Sequence, residues 1–350
     1  SKRSVEVQNP FTLIFGKSPL ESISRLAQTN EIIDAFSTEI LNQQIYMITG
    51  VRGSGKTVML TDISKHFKKD EDWIVIELNP DRDLLRSFAA KLYDEKYLQE
   101  AFLNAKLDLS IFGIGVSVEK SKKFFDIENA IQAMLDIVKK KKKRVLISID
   151  EAVSNEEMKI FAGTFQILVR NEYPIFLLMT GVFENIDALQ NEKNLTFLYR
   201  APKIKLQPLD KGAVKQKYQE IFSLTNEASL EMAELTKGYP FAFQVLGYLT
   251  WQKAGDYKSV IGMYRQYLSE YVYDKIWSEL SNKDKKVCCG IAETDSGKIK
   301  EIRDKLSMKT NEFNPYRDRL KKKGIINCEE HGYVYFYLPE FSDYVLTHAL

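Results

Sequence analysis

The chain has 350 residues, three cysteines and nearly balanced charge, with 50 Lys and Arg against 48 Asp and Glu. That length exceeds one typical core, so two or three domains are expected. Balanced charge excludes a polycation, and any nucleic-acid contact must come from a local patch. Cys288, Cys289 and Cys328 fall in no metal-ligand spacing, and His66, His331 and His348 form no cluster, which fits a reducing, cytoplasmic compartment. No apolar run reaches membrane-spanning length and no secretory signal is visible, so no membrane partner is expected.

In chain order, residues 44–49 read as a buried strand and 58–67 as a helix. Between them stands Gly50-Val51-Arg52-Gly53-Ser54-Gly55-Lys56-Thr57, which fits the phosphate-binding pattern G-x-x-x-x-G-K-[ST] in its proper strand–helix context. The glycines let the backbone curl round a phosphate, and the N–H groups and helix N-terminus face it. Lys56 is expected to reach the β- and γ-phosphates and Thr57 to ligate Mg²⁺; Gly50 through Val58 form the nucleotide-binding set. ATP and Mg²⁺ are the cofactors this implies.

Residues 73–78, 144–149 and 175–180 are apolar without alternation, as strands buried on both faces read. Helical stripes separate them: Ile127, Ile131, Met134, Leu135 and Val138 behind an Asp126 N-cap, then Met158, Phe161, Phe165 and Leu168. With a short fifth strand at 203–206, the order predicts an α/β sandwich on a parallel sheet. Alternating Leu107, Leu109, Ile111 and Ile114, Val116, Val118 around Gly113 and Gly115 predict an inserted β-hairpin at about 106–120. It reads as edge-covering decoration rather than a partner or DNA contact. The basic run 139–144 reads as a helix end before the next strand.

The strand at 144–149 runs into Asp150-Glu151. A P-loop enzyme needs carboxylates at the end of a strand beside the P-loop strand: Asp150 for the Mg²⁺ hydration shell, Glu151 to accept a proton from attacking water. Thr180 ends the next strand, where it either senses the γ-phosphate or positions water, or simply makes a turn. Arg200 precedes the fifth strand, where it stabilises transition-state charge in cis or in trans, or serves a surface ion pair.

Beyond Pro208 the strands stop. Residues 210–280 read as helices. From Asn282, helices run to Lys323, and 324–326 and 333–338 form a strand pair, an order that suggests a winged helix-turn-helix. Three domains are expected: 1–207, 208–281 and 282–350. Between Lys298 and Lys323 stand ten Lys or Arg and four Asp or Glu. The stretch 313–323 is the expected recognition helix, with Arg317, Lys321, Arg319 and Lys322 as DNA-binding candidates. The other reading of this domain is protein contact or autoinhibition of the ATPase.

Taken together, the chain resembles the archaeal-type ATPase family within the AAA+/STAND branch of P-loop ATPases, relatives of the origin-recognition and initiator ATPases. The resemblance rests on Asn9-Pro10-Phe11, Ser24-Arg25, the P-loop at 50–57, Asp150-Glu151, Thr180, Leu206-Gln207-Pro208-Leu209 and Gly238-Tyr239-Pro240. It implies an α/β ATPase core with a helical lid and a C-terminal winged helix. It also implies that Pro240 packs near an adenine and that Arg25 serves the nucleotide. Phe241-Ala242-Phe243-Gln244 lacks the lid arginine common in initiators, which makes a slow switch the expectation rather than a fast motor. Two functional classes follow: an initiator-like or mobile-element ATPase coupled to duplex DNA, and a STAND-like signalling switch with a protein partner. A homo-oligomer is compatible with either.

Overall fold

The computed structural model describes residues 7–15, 19, 22–122 and 124–349. These form two compact units. One holds Arg25–Thr49 and Lys56–Lys205; the other holds Gly50–Gly55, Leu206–Leu350 and the described residues before Arg25. The expected first domain of 1–207 therefore gives up its N-terminal segment and six loop residues to the second unit. The expected boundary at 281/282 falls inside that unit, whose buried core runs continuously from Phe11 to Val345.

The first unit is built on five parallel strands, β1 (Ile45–Thr49), β2 (Trp73–Leu78), β3 (Arg144–Ile149), β4 (Ile175–Gly181) and β5 (Lys203–Lys205), in the order β2-β3-β4-β1-β5. Every residue of β1 and β4 is buried, and all of β3 after its first. Those unbroken apolar runs need helices on both faces. Among these helices are Lys56–Lys68, Ile127–Lys140 and Glu156–Arg170. Asp126 caps the second, accepting from the Asn129 backbone at 2.8 Å, and its stripe Ile131, Met134, Leu135 and Val138 is fully buried. The basic run ends as its charge pattern implies: Lys139 and Lys140 close the helix and Arg144 opens β3. The Arg144 guanidinium donates to the Phe36 and Thr38 carbonyls at 2.7 and 2.8 Å, tying down the end of helix Leu26–Ser37.

Two expectations need correction. First, the carboxylate strand does not lie beside the P-loop strand, because β4 stands between β3 and β1. Second, no hairpin forms at 106–120. Ser110–Phe112 is a 3₁₀ turn, and Leu107 makes only an isolated parallel bridge to Lys122. The physical reason is Asp108. Its carboxylate accepts from the backbone N–H of Ser110 at 2.9 Å and of Val118 at 3.0 Å, and from Ser121 Oγ at 3.3 Å. It thus captures donors that a ladder would use. Hydrogen bonds from Ser110 and Val118 hold the Asp108 carboxyl well below the usual carboxylate range.

The second unit is helical. Lys211–Phe222, Asn226–Thr236, Pro240–Gln252 and Ile261–Leu268 are followed by a π-turn and Asp274–Ser278. Then come Asn282–Ala292, Ile299–Leu306 and Thr310–Lys322, the antiparallel pair β6 (Ile326–Asn327) and β7 (Tyr335–Phe336), and Phe341–His348. β7 lies within the expected 333–338, while β6 shares only Ile326 with the expected 324–326. The segment around Asn9-Pro10-Phe11 packs on the first helices of this unit. Phe11 stacks on Phe222 at 5.9 Å and meets Phe243 edge-on at 5.5 Å, and Asn9 Nδ2 donates to the Tyr248 carbonyl at 3.1 Å. Gly247 makes room for it, since a Cβ there would stand 2.4 Å from the Phe11 ring.

Candidate active site

The end of the sheet gathers three of the expected residues. Ile149 pairs with Met179, so Asp150 stands level with Thr180 on the neighbouring strand. The Thr180 hydroxyl donates to Asp150 Oδ1 and accepts from the Glu151 backbone N–H at 3.0 Å, while Thr57 Oγ1 donates to Asp150 Oδ2 at 2.8 Å. Thr180 is fully buried. Its hydroxyl thus bonds both acidic neighbours, the carboxylate of Asp150 and the backbone of Glu151. Glu151 takes φ +53° and its side chain is exposed. A non-glycine residue in the left-handed region is a feature that concentrates at functional sites.

The glycine-rich loop belongs to the other unit and is held there by contacts that sequence reasoning missed. Gly53 and Gly55 have φ +76° and +91°, which strain any residue with a Cβ. Ser54 N–H closes the turn on the Val51 carbonyl at 3.1 Å. The Tyr239 hydroxyl donates to the Arg52 carbonyl, and the Phe241 N–H donates to the Gly53 carbonyl at 3.1 Å. The Arg52 side chain pairs with Glu279, Nη2 to Oε1 at 2.7 Å and Nε to Oε2 at 3.3 Å, and Lys275 approaches the same carboxylate at 3.4 Å. Burial pushes the Glu279 carboxyl up, but Arg52 and Lys275 outweigh it and hold it below its ordinary value. Burial pushes the Tyr239 hydroxyl far up, so it stays a donor. Val51 packs on this unit's core, near Gly324. Pro240 opens helix Pro240–Gln252 and flanks Gly55, 3.9 Å from where a Cβ there would lie. The only sign of this arrangement in the sequence is an aromatic hydroxyl inside Gly238-Tyr239-Pro240.

Lys56 follows Gly55 directly as the first residue of helix Lys56–Lys68 and is buried, as is unusual for a lysine. Thr57 and Val58 continue that helix. Arg25 precedes helix Leu26–Ser37, and burial pulls its guanidinium down to about 10. Arg200 is exposed at the end of the short helix Thr196–Tyr199. In helix Thr310–Lys322, Arg317 and Lys321 share one face and line a cavity of about 580 Å³ with Lys298, Lys300 and Arg303. Lys322 is exposed. Arg319 is engaged elsewhere: its guanidinium binds the buried Asp284, Nε to Oδ1 at 3.1 Å, and Asp284 in turn caps helix Asn282–Ala292 with Ser281. Arg317 is also paired, with Asp318 beside it, Nη2 to Oδ1 at 3.0 Å.

A parallel sheet in this order, a glycine loop running into Lys-Thr, and an Asp-Glu pair ending β3 define a P-loop ATPase. The chain belongs to the family described as an ATPase domain predominantly from Archaea, whose model matches residues 30–223. A domain of unknown function (DUF8462) matches residues 270–345. The fold is similar to the Walker-type ATPase PABY2304 of Pyrococcus abyssi, with TM-score 0.64, 15% identity, and 92% of this chain and 95% of that one covered. It is also similar to the Aeropyrum pernix ORC2 protein in its ADPNP–ADP complexes, with TM-score 0.58, 13% identity, and 96% and 97% covered. No curated protein matches the sequence significantly. Among the described residues, no helix is long and apolar enough to cross a membrane.

Proposed function

We propose that this ATPase turns over Mg·ATP as a slow conformational switch and that its C-terminal region binds duplex DNA. The observation that carries the first half is the hydrogen-bonded set Thr57, Asp150, Thr180 and Glu151. A hydroxyl and a carboxylate oxygen 2.8 Å apart suit a hard cation that takes few protein ligands and completes its shell with phosphate and water. Bound Mg²⁺ would supply neutralisation of phosphate charge. Lys56 faces the phosphates, the N–H groups of the glycine loop cradle them, and Glu151 takes the proton of the attacking water. The adenine-nucleotide complexes of the Aeropyrum ORC2 protein support the choice of nucleotide.

For the second half, helices Asn282–Ala292, Ile299–Leu306 and Thr310–Lys322 followed by β6 and β7 have the order of a winged helix-turn-helix. The cavity beside the third helix gathers Lys298, Lys300, Arg303, Arg317 and Lys321 against Asp318 and Glu330. An excess of cations beside a helix and a wing is the footprint of phosphate contact. A second reading, a signalling switch clamped by its own C-terminal region, is favoured by the placement of Val51 on the core that also holds these helices.

Titration of the intact protein with duplex DNA, with and without ATP, separates the two. The DNA reading expects salt-dependent affinity. Arg317→Ala and Lys321→Ala should each flatten the slope of log affinity against log salt by roughly one unit. Absence of duplex binding at low salt in both nucleotide states would favour the clamp.

A further inference from the structure

We infer that Tyr239, seconded by Glu279, is a positioning residue for the phosphate loop, setting the peptide plane that presents the Gly53 N–H to the nucleotide. The inference rests on the assignment of Gly50–Thr57 as the nucleotide loop. A peptide unit is planar and trans, so its carbonyl and the next N–H point in opposite directions. A donor that fixes the Arg52 carbonyl therefore aims the Gly53 N–H the other way. The Tyr239 hydroxyl is that donor, and the Phe241 N–H, two residues on, fixes the next carbonyl, Gly53, at 3.1 Å. The two glycines at positive φ leave the loop backbone with the widest freedom in the segment, so an external grip on it matters. Tyr239 is buried, and the side of Gly53 that would carry a Cβ lies against its hydroxyl, so the hydroxyl has one place to go. On the side chain of the same residue, Glu279 holds Arg52 in a two-pronged ion pair that is partly exposed.

The test uses the full-length chain, a fluorescent ATP analogue for affinity, and steady-state hydrolysis. Tyr239→Phe removes one oxygen and should raise the Kd and the KM for ATP about fivefold to tenfold, the worth of one buried hydrogen bond, with kcat within about twofold. Glu279→Gln should raise Kd about twofold, an effect erased by high salt because the pair is exposed. The exchange Arg52→Glu with Glu279→Arg should recover affinity lost in either single variant. A residue that merely supports the fold would lower the melting temperature of nucleotide-free protein and leave Kd unmoved. Parent-like Kd in folded Tyr239→Phe overturns the inference. If that variant does not fold, parent-like Kd in Glu279→Gln at low salt overturns it. Lys56→Ala is the control: parent-like ATP binding there sinks the nucleotide-loop assignment itself. Loss there, with unchanged affinity in the Tyr239 and Glu279 variants, sinks this inference alone.

Discussion

The sheet end and the glycine loop are held in shape by opposite means. At the sheet end, the groups are positioned by register. Asp150 and Thr180 sit level on adjacent strands, and Thr57 reaches the same carboxylate from the helix after the loop. Buried strands and the first turn of helix Lys56–Lys68 fix that geometry. The loop has no ladder of its own. Besides the local turn that Ser54 closes on Val51, its carbonyls are held by donors 187 or more residues away in sequence, beginning with Tyr239 on the Arg52 carbonyl. The sheet end is therefore set by strand register, and the loop by the contacts that grip it. Substitutions at the sheet end should act on turnover, and substitutions around the loop should act on affinity.

Three variants break or sharpen that contrast, the largest effect first. Glu151→Gln should keep ATP bound while turnover falls about 10²- to 10⁴-fold, since an amide cannot take a proton; single-turnover hydrolysis with a parallel binding titration reads both. Lys56→Ala should weaken ATP binding by roughly 100-fold through loss of charge-assisted hydrogen bonds to phosphate, with the melting temperature of nucleotide-free protein unchanged. Calorimetric titration measures it. Thr180→Val keeps the volume but strips the Glu151 N–H of its acceptor and Asp150 of a donor. It should lower stability by about 1–3 kcal/mol and kcat about tenfold, with KM for ATP little changed. A Thr180→Val protein with raised KM and parent kcat would mean that turnover and affinity do not separate in this way.

Much of the sheet end was readable from residue order, because each of its parts announces itself locally. The strands at 44–49, 73–78, 144–149 and 175–180 are continuous apolar runs, and the structure places β1 to β4 there within a residue. What could not be read was lateral order. Nothing in a parallel strand's own sequence says which neighbour it takes, and β4 intervenes between β3 and β1. Alternation misled at 107–118 for a related reason. Period-two burial was real for Leu107 and Leu109, but a single carboxylate, Asp108, pulled the backbone donors into a knot of turns. Arg319 looked like its neighbours in a basic helix. Only its partner Asp284, 35 positions earlier, distinguishes it. Tyr239 was legible as part of a motif but not as a donor, since its acceptor is a main-chain oxygen that no side-chain pattern records.

The family match closes at residue 223, while Tyr239, Phe241 and Glu279 lie past that point. The stretch by which the protein is recognised and the stretch by which its loop keeps shape are thus different lengths of chain. A cut at 223 would preserve each residue that names the ATPase and discard the donors that fix its Arg52 and Gly53 carbonyls. For the same reason, a lineage that exchanged the C-terminal half for another would inherit the motif intact and still have to reinvent the grip.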